Sequence, residues 1–350
     1  MKTRNIITQP IPEQLRFPAS NGLTIRADFN GGVLSTDLGP LILGGVDRQI
    51  QLTHQMAEAF NDPRHPCYIG HRLTDLMAQR VYQIACGYED ANDANALRKD
   101  PLFKMGVGRT PLEEDQDLAS AATFSRLENA ATSRDLYRLA QVFVDQFIGS
   151  YSKVPEVLVL DMDHSEDETH GQQEFSFYNH HYRSHCYLPL FLFEGLSGKF
   201  ITAVLRSGKR PKGNENAMII KRVLKRLRDA WPETRIILRG DGHFSNPELM
   251  QLALDDPYTD FIFGMTGNSV LAKLAAPYID AAGKIYQLRC RHAKQAGQTI
   301  PKRTRTYHEV EYAAQSWPEA FRVILKAEVM SLGDKPRFVV TSLDLPSPEI

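Results

Sequence analysis

At 350 residues, 42% hydrophobic and 24% charged, the chain has the size and composition of a globular protein with room for two domains. No apolar run approaches the roughly twenty residues of a membrane-spanning helix, and the opening MKTRNIITQPIPEQ lacks the apolar segment of a secretory signal. Formal net charge is −1, and Cys67, Cys86, Cys186 and Cys290 form no C-x-x-C pair, so a reducing cytosol fits better than a disulfide framework or a zinc site.

Residues 20–47 alternate and carry Gly and Asp punctuation, in NGLTIRADFNGG and then LGPLILGG, which predicts short strands or a hairpin. From Gln49 to Tyr88 the apolar spacing turns helical, through Leu52, Met56, Ala59, Phe60, Leu73, Leu76, Met77, Val81 and Ile84. A further helix is predicted over 133–150. Residues 1–150 therefore read as a mainly helical region with a β start, bounded by the Lys-Val-Pro at 153–155. Acids dominate between Tyr88 and Glu128, and bases between Lys199 and Arg239. The basic stretch fits a phosphate-facing surface or an ordinary solvated helix face.

The next segment, 151–282, changes character. VLVLDMD (157–163) reads as a buried strand ending in acids, residues 182–194 as a second strand and FITAVLR (200–206) as a third. Short connections favour antiparallel neighbours. An amphipathic helix over 215–230 follows, with Asn214 as its expected cap. Residues 235–241 form a fourth strand, and 246–254 a helix with Asn246 as cap and Pro247 in first position. Residues 260–265 form a fifth strand, followed by a helix near 268–280. The order is β-β-β-α-β-α-β in an α/β chain. After Gly283 the pattern reads as β again, in IYQLRCR (285–291), YHEVEY (307–312), FRVILKAEV (321–329) and RFVVTSL (337–343). The bases Arg289, Arg291, Lys294, Lys302, Arg303 and Arg305 decorate this 283–350 stretch. Trp231 and Trp317 read as core or interface anchors.

Two strands end in acids. Alternation puts Val157, Val159, Asp161 and Asp163 on one face of the first. Asp241 stands at the carboxyl end of the fourth. Neighbouring carboxylates there can hold Mg²⁺ or Mn²⁺, and a two-metal site can drive phosphoryl transfer. A single strand-end Asp more often caps a loop. Asp163, Ser165, Asp167, Thr169 and Glu174 also fall at calcium-loop spacing, but Glu168 stands where such a loop needs Gly. A zinc set from His170, His180, His181 and His185 is opposed by geometry, because adjacent His180 and His181 point to opposite faces of a strand. No G-x-S-x-G elbow and no P-loop occur. Arg206, Lys209, Arg210 and Lys212, around a Gly-containing loop, and Arg239 are candidate DNA contacts; a turn kept soluble by charge is the alternative.

LDMDHS (160–165), HGQQE (170–174), YNHHY (178–182) and RGDGHF (239–244) resemble the DDE transposases of bacterial insertion sequences. So do CGYEDANDA (86–94), DPLFK (100–104) and TFSRLEN (123–129). The most similar branch carries a β-rich insertion between its second Asp and its Glu. The resemblance implies an RNase H-like mixed sheet with Asp163 as first acid, two places before Ser165 where the pattern usually has Thr. Asp161 is the fallback, and Asp241 is the second acid. It implies an incomplete core over 151–282, the β-rich insertion over 283–350 and possible end binding by 1–150. The family's Glu lies on a helix in a Tyr…Arg…Glu…Lys signature, and no such helix is predicted here. Glu309, Glu311, Glu319 and Glu328 read as surface charges on strands, and Glu349 in the Pro-rich end is no replacement. The expectation is a C-terminally truncated transposase with a half-built Mg²⁺ (or Mn²⁺) site and little activity alone. The resemblance further implies double-stranded DNA partners (terminal inverted repeats and target DNA), a homodimer in the synaptic complex, no membrane, and a bacterial cytoplasmic, nucleoid-associated location. A DNA-binding inhibitor or remnant, and a metal-dependent nuclease of the same fold, are the alternatives.

Overall fold

In the computed structural model, which describes residues 15–20, 22–27, 37–111, 113, 117–317 and 319–344, the chain divides between Val142 and Phe143 into two units. In the first, β1 (Leu15–Ser20) and β2 (Leu23–Ala27) pair antiparallel. Gly22 turns between them at φ 78°, a left-handed conformation that favours glycine. Helices α1 (Gly39–Ile50), α2 (Leu52–Ala59), α3 (Leu73–Ala85), α4 (Ala94–Leu97), α5 (Pro101–Gly106), α6 (Ala121–Ala130) and the start of α7 (Ser133–Gly149) follow. LGPLILGG is thus helical, not extended as expected. Pro40 sits in the first turn of α1, where its missing N–H costs nothing. Gly44 serves packing: a Cβ there would lie 2.4 Å from the Gly106 carbonyl oxygen, and a Cβ on Gly106 2.6 Å from that of Pro40. The glycine pattern suggested turns, but it records a close approach between helices.

Side-chain caps open two of the later helices. The Asp100 carboxylate accepts from the N–H groups of Leu102 and Phe103, both at 2.9 Å, opening α5. Thr132 and Asp135 form a reciprocal box before α7: Thr132 N–H donates to Asp135 at 2.9 Å and Asp135 N–H to the Thr132 hydroxyl at 3.3 Å. Leu76, Phe124, Tyr82, Phe103 and Leu118 are among the buried apolar residues of this unit. The buried Gln79 amide exchanges two 2.9 Å hydrogen bonds with the Ala119 backbone, so its polar atoms are satisfied.

The second unit begins with β3 (Val157–His164), β4 (Asp167–Glu168), β5 (Phe177–Asn179), β6 (Ser184–Tyr187), β7 (Leu190–Glu194) and β8 (Phe200–Val204). It continues with α8 (Gly213–Ala230), β9 (Arg235–Gly240), α9 (Pro247–Leu254), β10 (Thr259–Met265) and α10 (Ser269–Gln295). It ends with β11 (Arg303–Tyr312), β12 (Phe321–Met330), β13 (Gly333–Asp334) and β14 (Arg337–Thr341). The main sheet has the order β11-β12-β14-β10-β9-β3-β7-β8, with β13 beside β12. β3, β7 and β8 are antiparallel neighbours, while β9 runs parallel to β3 and β10. The segment is a mixed α/β unit, as expected, with the short strands β4, β5 and β6 set between β3 and β7.

Three local expectations differ. The second strand breaks at Leu188–Pro189, where proline has no N–H to donate to a ladder, and β6 instead joins β4 and β5 in a small sheet. Lys212, not Asn214, is the N-cap of α8. IYQLRCR (285–291) lies inside α10, with Leu288 52% exposed. Around it the chain is rich in straight-chain helix formers, and Ala282 and Ala293 pack at helical spacing. The strands of 303–341 continue the main sheet, with β14 antiparallel to β10.

One face of this sheet is the core. It carries Leu160 and Met162 from β3, Leu238 from β9 and Phe263 from β10, covered by Val223 and Leu227 of α8 and Met250 of α9. Trp231 packs there edge-on to Phe147 and Tyr151, and Trp317 packs partly buried beside Tyr312 and Phe321. Alternation sends Asp161, Asp163 and Arg239 to the opposite face.

Candidate active site

The parallel register aligns Asp161 with Arg239 and Met162 with Gly240. One residue further on, Asp163 and Asp241 therefore stand side by side where the two strands end. They line an open groove of about 740 Å³ together with Asp161, Met162, Ser165, Phe191, Phe193, Arg239 and Gly240. Burial, and then the negative charge of Asp241, raise the Asp163 carboxyl above the ordinary range, against the His164 backbone N–H that favours the ionised form. Asp241 is exposed and accepts from the His243 N–H at 2.9 Å, with the His243 ring nitrogen at 3.4 Å.

Phe244 fixes the turn that carries Asp241. Its ring is fully buried and stacks on His164 at 4.8 Å and 5°. Its N–H donates to the Asp241 carbonyl at 3.1 Å. A Cβ on Gly240 would lie 2.6 Å from that ring, so glycine is required for the phenyl group to fold back over the strand end. Burial, and then the charges of Arg206 and His243, push the His164 imidazole down to about 4, although Asn216 opposes the shift. Neither ring nitrogen of His164 makes a well-formed hydrogen bond.

The remaining candidate residues are used differently from one another. Asp161 forms a two-point ion pair with Arg239, and that contact holds the Arg239 guanidinium above its ordinary range. Neither residue of that pair presents an unpaired charge to a ligand. Arg206 is largely buried and donates to Glu215 and Asn216. Lys209 extends over the Phe177 ring at 4.1 Å, and Arg210 and Lys212 are exposed. The calcium-loop residues are drawn apart: Asp167 lies in a strand, and Thr169 bonds the His185 carbonyl. Among the described residues no group of three or more His, Cys, Asp or Glu converges as a metal cluster.

Two buried carboxylates have roles that no local sequence pattern signals. Glu194 is 2% exposed and accepts from the N–H groups of Val159, Leu196 and Ser197, pinning the β7–β8 turn to β3. Burial alone would raise its carboxyl, but hydrogen bonds from Ser197, Val159 and Leu196 outweigh burial and hold it below the usual range. Three N–H donors in a turn leave no sequence signal. Glu328, expected as a surface charge, is buried and meets Arg305 at 2.8 Å and Arg303 at 3.2 Å. Glu309 is ion-paired to Arg322, while Glu311 and Glu319 are exposed. Glu349 lies outside the described residues.

Among solved structures, a piggyBac transposase synaptic complex with hairpin DNA, determined by cryo-EM, matches 89% of this chain at 12% identity with a TM-score of 0.41. The chain spans 62% of that protein's length. No curated protein matches the sequence. No described helix is long and apolar enough to cross a membrane. A family model described as "Transposase DDE domain group 1" matches residues 17–350, and a match over nearly the whole chain shows that it belongs to the DDE transposases.

Proposed function

We propose that this chain acts on the ends of a bacterial insertion sequence, nicking DNA and transferring strands at an RNase H-like site built on Asp163 and Asp241. The single observation that carries this reading is their side-by-side position on adjacent parallel strands, open to solvent and with no Lys or Arg ion-paired to either among the described residues. Two carboxylates without a neutralising Lys or Arg are a hard-oxygen donor set, which fits Mg²⁺ or Mn²⁺. A divalent ion held there would help to activate the attacking oxygen and stabilise the leaving one.

The protein's own groups prepare the pair. The His243 N–H orients Asp241, and Phe244 holds the turn against the strand end. Arg239 neutralises Asp161, so the field at the groove comes from Asp163 and Asp241. Asp161 is thereby the weaker choice for first acid. We assign Arg210 and Lys212 to phosphate contact ahead of Lys209, and Arg206 and Arg239 to support of the site.

On this reading, 1–150 binds the terminal inverted repeats, 151–282 carries the chemistry and 283–350 extends it. Two copies would pair the element ends within the bacterial cytoplasm, at the nucleoid. The resemblance implies a third carboxylate, and none of the described residues supplies it beside the pair. The alternative reading is that the chain occupies element ends without cutting them.

The test is nicking of duplexes carrying the element's own ends, with Mn²⁺. Cleavage abolished by Asp163→Asn and by Asp241→Asn, with DNA binding retained, supports the catalytic reading. Cleavage indifferent to both substitutions defeats it. End binding without any cleavage favours the second reading.

A further inference from the structure

The face that carries Asp163 and Asp241 does not stop at β10. Register carries it across the sheet: Arg239 aligns with Ile262, Ile262 with Thr341 and Thr341 with Arg322. On the same face, Arg337 aligns with Lys326, Lys326 with Tyr307 and Glu328 with Arg305. Arg303, Arg305, Lys326 and Arg337 thus share a face with the aspartates, beyond the ends of β9 and β10. α10 covers the opposite face, where Tyr278 stacks on His308 and Leu271 and Ala275 join the core with Val323 and Leu325.

This group has more positive charge than its own pairing requires. Glu328 is its one carboxylate, with Arg305, Arg303 and Lys326 at 2.8, 3.2 and 3.9 Å. Arg337 is exposed and has no ion-pair partner among the described residues. Burial, and then the charges of Arg337, Arg305 and Arg303, push the Lys326 amine below its usual range despite Glu328. Four cations around one acid repel one another and attract a polyanion.

Their spacing suits a duplex. With strands about 4.8 Å apart and residues about 3.3 Å apart along them, a flat sheet puts Arg337 about 12 Å from Asp241, Lys326 about 16 Å and Arg303 about 28 Å. At about 3.4 Å per base pair, that row spans roughly four to eight base pairs from the scissile position.

We propose that Arg303, Arg305, Lys326 and Arg337 form a phosphate-binding row that holds duplex DNA flanking the cut site, contacting its backbone without reading its sequence. The assignment rests on the DNA-processing reading above. Glu328 is the positioning residue: it orients Arg303 and Arg305 from the neighbouring strand and keeps the row from splaying.

The test is fluorescence anisotropy of a labelled random-sequence duplex with the full chain over a salt series. Lys326→Gln/Arg337→Gln should lower affinity about tenfold and reduce the slope of log affinity against log salt by about 1.8, at roughly 0.9 per phosphate contact. The control Lys273→Gln/Lys294→Gln removes the same charge from exposed positions on α10 and should change both little. If the double variant does not fold, Arg337→Gln alone, at an exposed position, should reduce the slope by about 0.9. Equal losses in variant and control, or undiminished binding by the variant, overturn the row. A wild-type chain that binds no duplex at low salt overturns the DNA-processing reading as well.

Discussion

Gly240→Ala tests whether the turn holding Asp241 is set by packing. In a strand interior this substitution usually stabilises by about 0.5–1 kcal/mol, because glycine loses more backbone freedom on folding. Gly240 has no positive φ that would reverse that gain. The new methyl would lie 2.6, 2.8 and 3.0 Å from Cδ2, Cγ and Cβ of Phe244. The ring cannot swing aside, since it is fully buried and stacked on His164. Overpacking of this kind costs about 1–3 kcal/mol, so a net loss of about 1–2 kcal/mol is expected. For a unit the size of Phe143–Ile350 that is roughly 2–8 °C in melting temperature. Urea denaturation should show the loss at constant m-value. Phe244→Leu in the Gly240→Ala background should lose less than the sum of the two single changes, because the two sites are in contact. A stabilised Gly240→Ala chain, or strict additivity with Phe244→Leu, refutes the argument.

Three further outcomes follow from the same contacts. Gly44→Ala should destabilise the first unit by about 2–3 kcal/mol in a thermal melt, although alanine is the better helix former, because its methyl meets backbone, which cannot rotate away. Arg228 donates to Asp256 at 2.6 Å, to the carbonyls of Thr234 and Tyr258 and to the Thr259 hydroxyl, tying the end of α8 to the starts of β9 and β10. Arg228→Met keeps the stem and strands those acceptors, so urea denaturation should show a loss of about 2–4 kcal/mol. Glu194→Gln should cost about 1–3 kcal/mol at neutral pH. Its carboxyl is held low in the folded state, so its contribution is present above about pH 4.3, the unfolded range, and is lost as pH falls through the folded value; denaturation from pH 7 to pH 3 should show the gap between wild type and variant narrowing.

How much was legible depended on whether the signal was local. β3 and β9 are buried parallel strands, so VLVL and RIIL appear as apolar runs, and the acids that end them mark the sheet's open edge. The α9 start was equally plain, because Asn246 and Pro247 act within one turn, with Asn246 accepting from the Leu249 N–H at 3.0 Å. Sequence and structure part where one residue type serves two ends. Gly44 and Gly45 look like a turn until Gly106, some sixty residues later, is known to pack on Gly44. Residues 285–291 alternate enough to suggest a strand, yet continue a helix already begun at Ser269. Asp161 and Asp163 lie on one face with the same local pattern, and in the structure the pairing of Asp161 with Arg239 separates them. Glu328 resembled any exposed strand acid, because its burial depends on Arg303 and Arg305 across a strand pair.

The register that hides the basic row from the sequence also explains why the later strands matter to the site. β10 flanks β9, and its apolar Phe261 and Phe263 are fully buried. Without β14, its outer edge would carry unpaired backbone groups beside an apolar surface, an arrangement prone to mispairing. β14 closes that edge, and the bonds continue past it: the Thr341 hydroxyl donates to the Phe261 carbonyl at 2.7 Å, and Ser342 bridges the Phe261 N–H and the Asp260 carboxylate. Phe321 of β12 then packs edge-on to Phe261 at 5.3 Å. The strands of 303–341 therefore have two separable effects. Their buried residues complete the sheet that aligns Asp241 with Asp163, and their charged residues on the aspartate face set the charge beyond that pair. Substitutions at Phe321 or Thr341 should act through stability, whereas substitutions at Lys326 or Arg337 should act through salt-dependent binding with stability little changed.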